Sequence, residues 1–195
     1  DKYLTISSGS EGLYKEKGSR FISFAYPVTS EEEVKQHLQE LKKKYYDARH
    51  HCYAYRLGVT GESWRAVDDG EPSGTAGKPI LGQLLSNNLT NIVVFVVRYF
   101  GGVKLGVPGL ISAYRSATAD SIQNAEIIEE EDKAGFSIGF DYPVMNDVMK
   151  IIKEEQPEIV RQEFEIVCRI DLRIRRNRFE ILKNKLLKIE SVAEL

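Results

Sequence analysis

Apolar and polar positions recur with two periods along this chain, and the switches between them place most elements. Phe21, Ile22, Phe24 and Tyr26 read as a strand ending at Pro27. Ser30 followed by Glu33 predicts a capping box, in which hydroxyl and carboxylate satisfy each other's orphan amides. Val34, Leu38, Leu41 and Tyr45 then mark one face of a helix. His50–Leu57 and Ser63–Val67 predict a hairpin around Thr60-Gly61, and Ile80, Leu81, Leu84 and Leu85 a short helix stopped by Asn87-Asn88. Ile92–Val97 is apolar at every position, as expected of a central strand covered on both faces. A second long helix is expected from about Pro108 to Ala125, with proline in its first turn.

Beyond residue 131 the pattern is simpler. Phe136, Ile138 and Phe140 alternate as a strand, and Val144, Val148, Ile151 and Ile152 define a helix stopped before Pro157. Two further strands, Glu158–Phe164 and Ile166–Arg175, precede a helix marked by Phe179, Leu182, Leu186 and Ile189. The order β-α-β-β-α suggests a ferredoxin-like split βαβ layer, its last strand coming from Ser191–Leu195. Thirteen of the 15 glycines precede residue 131, and Glu129-Glu130-Glu131-Asp132-Lys133 is a charged run expected to be solvated. The expectation is an α+β protein with two domains, 1–131 and 132–195.

The net charge of −2 excludes a globally basic nucleic-acid binder but leaves room for a local basic patch. No aliphatic or aromatic run exceeds the six residues of Ile92–Val97, and Asp1-Lys2-Tyr3-Leu4-Thr5 has no signal-peptide character. Cys52 and Cys168 are too few for a disulfide framework and read as reduced thiols of a cytoplasmic protein.

Two segments are dense in loop residues. The first runs Asp68-Asp69-Gly70-Glu71-Pro72-Ser73-Gly74-Thr75-Ala76-Gly77-Lys78, three carboxylates leading into a helix start that favours anions. Walker spacing fails, because Pro72 stands where that motif needs glycine and Pro79 follows the lysine. The second runs Arg98-Tyr99-Phe100-Gly101-Gly102-Val103-Lys104-Leu105-Gly106, a strand, a glycine turn and a helix N-terminus with positive charge and exposed aromatics beside it. Neither the dinucleotide glycine pattern nor a serine-hydrolase elbow is present, so no cofactor and no catalytic residue is assigned. His50 and His51 point to opposite faces of a strand, His51 with Tyr53 and His50 with Cys52. No metal site is therefore assigned, and His50, His51 and Tyr53 are given supporting roles. On the open face of the second domain, Arg173 and Arg175, with Arg176 and Arg178 just beyond, form a candidate nucleic-acid surface.

His50-His51-Cys52-Tyr53-Ala54-Tyr55-Arg56, then Asp68–Lys78, then Arg98-Tyr99-Phe100-Gly101-Gly102 with Lys104-Leu105-Gly106 resemble the YigZ/IMPACT family over essentially the whole chain. Val107-Pro108-Gly109 departs from the smaller, glycine-richer turn expected there. The resemblance implies a first half folded like domain two of ribosomal protein S-five and a second like the last domain of elongation factor G. It also implies a cytoplasmic protein tied to translation. Eukaryotic members, which lack this second domain, restrain a kinase of the initiation factor by competing for its activator. Two functions follow from residues and resemblance together. One is a non-enzymatic binder of RNA, the ribosome or a translation-associated protein, with no role at membranes. The other is an enzyme on a phosphorylated small molecule or nucleotide, with Asp68, Asp69 or Glu71 as acid, base or magnesium ligand and Lys104 as anion clamp.

Overall fold

The computed structural model describes residues 2–195, which form eleven strands, five α-helices and one short 3-10 helix, Tyr142–Val144. Lys2–Glu130 is one compact unit and Glu131–Leu195 a second. The first runs β1 (Lys2–Ile6), β2 (Ser10–Glu16), β3 (Ser19–Pro27), α1 (Glu31–Lys44), β4 (His50–Leu57), β5 (Ser63–Val67), α2 (Gly77–Ser86), β6 (Ile92–Tyr99), α3 (Gly106–Gln123) and β7 (Ile127–Glu131). The second runs β8 (Lys133–Asp141), α4 (Met145–Glu155), β9 (Glu158–Phe164), β10 (Val167–Arg175), α5 (Arg176–Leu187) and β11 (Ala193–Glu194).

Five strands make one antiparallel sheet in the order β2-β3-β6-β4-β5, with β6 at its centre. Ile92, Val94 and Val96 pack beneath α2 and α3, while Val93, Phe95 and Val97 pack against Val34 and Leu41 of α1. A strand covered on both faces has no polar side to present, which explains its unbroken apolar sequence. Ser30 accepts from the Glu33 amide at 3.2 Å and caps α1. The reciprocal half of the expected capping box is absent: the Glu33 carboxylate accepts from the Thr29 amide and hydroxyl instead, at 3.3 and 3.1 Å. Glu31, Glu32 and Glu33 in the first turn and Lys42, Lys43 and Lys44 in the last complement the α1 dipole.

In the second unit the strands lie antiparallel in the order β11-β8-β10-β9, the split βαβ arrangement. Alternation along β10 buries Cys168, Ile170, Leu172 and Ile174 with α4 and α5. The last strand is only two residues long, Ala193 and Glu194 against Gly139 and Ile138.

The charged run Glu129–Lys133 is exposed or half-buried, and it carries strand: its first residues belong to β7, which pairs with β1, and Lys133 opens β8. Charged side chains are compatible with the exposed face of a short strand, so charge alone does not break one. The two units divide after Glu130. No helix among the described residues is long and apolar enough to cross a membrane.

Glu155 closes α4 by accepting from Lys185 and Arg178 of α5, each at 2.5 Å, with its side chain only 4% exposed. These hydrogen bonds, from Lys185 and then Arg178, hold its carboxyl below the usual carboxylate range. A depressed folded value favours folding above the unfolded carboxylate range, and that contribution is lost as pH falls through it. Glu155→Gln is therefore expected to lower the thermal midpoint at neutral pH, with the gap from wild type closing towards about pH 3. Thermal melts across pH check this; a gap that stays constant or widens in acid contradicts it.

Candidate functional site

The turn after β5 and the glycine segment after β6 come together through one buried carboxylate. Glu71 accepts from Arg98 Nη1 with both oxygens at 2.8 Å, and their side chains are 4% and 6% exposed. The Tyr114 hydroxyl of α3 donates to Glu71 Oε2 at 2.5 Å, and His50 Nε2 of β4 lies 3.3 Å from Oε1. Arg98 sits at the end of β6 on the face that carries Val94 and Val96, so the sheet alternation itself aims it at this turn. Arg98 Nη2 also reaches Ser19 Oγ at 3.4 Å, and that oxygen accepts from the Gly101 amide at 3.1 Å. Gly101 has to be glycine, because a Cβ there would lie 2.1 Å from the Gly18 carbonyl carbon.

The acidic residues of the turn have structural partners. Asp68 accepts from the amides of Gly74, Ala76 and Gly77 at 2.9–3.1 Å and so caps α2, which has no capping side chain of its own. Those amides were the expected anion cradle of the first segment, and the protein's own carboxylate occupies it. Asp69, left-handed at φ 42°, accepts from the His51 amide at 2.7 Å, and its carbonyl lies 2.7 Å from His50 Nδ1. A carbonyl only accepts, so Nδ1 carries the proton and the His50 ring is fixed with Nε2 towards Glu71. Gly70 is left-handed in this turn at φ 85°, Thr75 is buried and bonded to the Pro72 carbonyl, and Lys78 is exposed on α2. Gly77 lets α2 touch β5, where a Cβ would meet the Val67 nitrogen at 2.5 Å.

Beside this network opens a cleft of about 380 Å3, lined by Arg49, His50, Glu71, Pro72, Arg98, Phe100, Lys104, Leu105, Gly106, Val107 and Leu110. It gathers His50, Glu71, Arg98, Phe100, Lys104 and Gly106 from the candidate residues. It does not gather His51 or Tyr53, which face α1, nor Tyr99, whose hydroxyl donates to Asp47 at 2.8 Å. Gly102, left-handed at φ 87°, shapes the segment without lining the cleft. Phe100 is 41% exposed, with the guanidinium carbons of Arg49 and Arg98 at 5.3 and 5.5 Å from its ring centre. Among the described residues, neither Arg49 nor Lys104 has an ion-pair partner.

Sequence reasoning missed Arg49, Ser19 and the role of Tyr114. The Tyr114 hydroxyl is hidden in an apolar helical stripe with Leu110, Ala113 and Ala117, which reads as core. Arg49 precedes β4 and carries no pattern of its own, although its place beside His50 was a usable signal. Cys52 offers no nucleophile. Burial pushes its thiol well above the ordinary range, and it donates to the Asp68 carbonyl at 3.0 Å.

Three of the four arginines in the second unit's row are ion-paired. Arg175 pairs with Glu131, Arg176 with Asp132 and Arg178 with Glu155, at 2.5–2.9 Å. Only Arg173 of these four is exposed without an ion pair among the described residues. Alternation puts Arg173 and Arg175 on the open face, whereas Arg176 and Arg178 open α5, and sequence order hides the carboxylates that topology delivers to three of the four.

With this geometry in place, comparison with known proteins gives a class. Residues 17–122 match the Impact N-terminal domain. An IMPACT family member of Haemophilus influenzae is 32% identical, covering 97% of this chain and 93% of its own. The IMPACT family member YigZ of Escherichia coli is 30% identical over 76% of this chain and 74% of its own. A crystal structure described as a hypothetical protein superposes at a TM-score of 0.74 with 25% identity, covering 100% of this chain and 97% of that one. The chain belongs to the IMPACT family, and the fold spans both of its units.

Asp68→Ala is expected to cost about 1–2 kcal/mol by uncapping α2. Urea denaturation measures it; a loss below about 0.3 kcal/mol contradicts the capping role, since exposed substitutions fall within about 0.5 kcal/mol.

Proposed function

We propose that this chain is a cytoplasmic, non-catalytic binding protein of translation whose cleft engages RNA. Membership of the IMPACT family supports the link to translation. The observation that carries the RNA reading is the exposed Phe100 ring with the Arg49 guanidinium over it, next to Lys104, in a cleft whose one carboxylate is already bonded. An exposed aromatic edge and guanidinium suit an unstacked base, and cations without partners suit phosphate. The enzymatic alternative needs a carboxylate free to move a proton or hold magnesium. Asp68, Asp69 and Glu71 are instead committed to backbone amides, Arg98 and Tyr114. The ion pairs of Arg175, Arg176 and Arg178 favour this cleft over the second unit's arginine row in the RNA reading.

Anisotropy titrations with single-stranded RNA across a salt series test this reading. Binding is expected to weaken as salt rises, with Arg49→Ala and Lys104→Ala each reducing the slope of log K against log salt by about 0.7. Absence of binding at about 50 mM salt, or slopes indifferent to both substitutions, overturns it.

A further inference from the structure

Donors outnumber acceptors on the walls of the cleft. Arg49 and Lys104 line it with Gly106 and Val107 of the α3 start, and α3 begins with no capping side chain and no acidic residue in its first turn. Arg98, another lining residue, has a buried Nε without a hydrogen-bond acceptor among the described residues. The single carboxylate, Glu71, already receives Arg98 and Tyr114. A ligand that completes this site has to bring acceptors and negative charge. The rest of the lining, Pro72, Phe100, Leu105, Val107 and Leu110, is apolar, so the ligand also has to bring a flat apolar part. At about 380 Å3 the cleft lies near the lower end of the ligand-pocket range of about 300–1,000 Å3, room for one small unit rather than a folded segment.

We propose that the cleft takes one phosphorylated nucleoside, its base on the Phe100–Arg49 platform and its phosphate at the start of α3 beside Lys104. This deepens the RNA reading and rests on the same cleft. The unit can come from a nucleotide of a single RNA strand or from a free mononucleotide, which present the same base and phosphate. Base stacking supplies affinity with little discrimination among bases, since every base has a π-face. Lys104 and the α3 amides discriminate phosphate from its absence.

Calorimetric titration of the full chain with adenosine 5′-monophosphate, adenosine and ribose 5-phosphate tests the proposal, with competition against labelled single-stranded RNA as the second arm. The monophosphate is expected to bind at least about tenfold more tightly than either fragment, since each lacks one of the two contacts. Phe100→Ala is expected to weaken it roughly 5- to 150-fold, from the stacking of one base. Phe100 is on the surface, so an unchanged thermal midpoint verifies that the variant is folded. Displacement of RNA by the monophosphate identifies the RNA nucleotide as the source. Monophosphate binding without RNA binding supports the pocket with a free mononucleotide as its source and overturns the RNA reading. RNA binding that the monophosphate does not displace, or fragments that bind as well as the whole, overturns the one-nucleotide pocket and leaves the RNA reading standing. Displacement of the monophosphate by polyglutamate with no loss on Phe100→Ala assigns the cleft to acidic peptide and overturns the proposal.

Discussion

Two opposite charges withdrawn from water hold the candidate-site end of the first unit in shape. Removing Glu71 and Arg98 from solvent carries a penalty of several kcal/mol per ion, so the pair persists only because its bonding is nearly complete. Both Glu71 oxygens receive Arg98, and one also receives Tyr114. Two elements of the sheet-and-helix core, β6 and α3, thereby bond to a single turn residue. A pair of this kind contributes definition more than net stability. Here it fixes where the turn after β5 lies relative to the glycine segment after β6.

That constraint divides the chemistry of the two loops unequally. On the acidic side every carboxylate has internal work: Asp68 closes α2, Asp69 holds β4 and the His50 ring, and Glu71 anchors Arg98. Tyr114 is also held as a donor, since burial raises its hydroxyl far above the ordinary range. On the glycine side Arg49, Lys104, Phe100 and the α3 start are left open to solvent or to a ligand. A surface with fixed negative charges behind it and unpaired cations in front suits recognition of an anion better than proton transfer. In the second unit Arg175, Arg176 and Arg178 have carboxylate partners, whereas Arg173 has none among the described residues.

Strong periodicity made β4, β5, β6, α2 and the helices of the second unit legible in the sequence, since burial on one or both faces writes itself into residue choice. β1 and β2 were not legible. β2 reads Ser-Glu-Gly-Leu-Tyr-Lys-Glu, an edge strand with exposed charges, and its fit depends on Gly12 lying close under α3. Gly12 has no room for a side chain there, as a Cβ would lie 2.4 Å from the Ser121 nitrogen. At the site, the two loop segments stood out by composition. The division of their residues did not, because it depends on pairings across tens of residues, such as Glu71 with Arg98 and with Tyr114. Local pattern reports what a residue can do, and only topology reports whether the protein has already used it.

The claim that one buried pair organises this site is tested most directly by a double-mutant cycle on Glu71→Gln and Arg98→Met, followed by urea denaturation. Each single change leaves the other partner buried and uncompensated, at a cost of about 3–5 kcal/mol. The account predicts a coupling of about 2–3 kcal/mol, with the double variant more stable than the sum of the two losses implies. Additive losses, within about 0.5 kcal/mol, would contradict it.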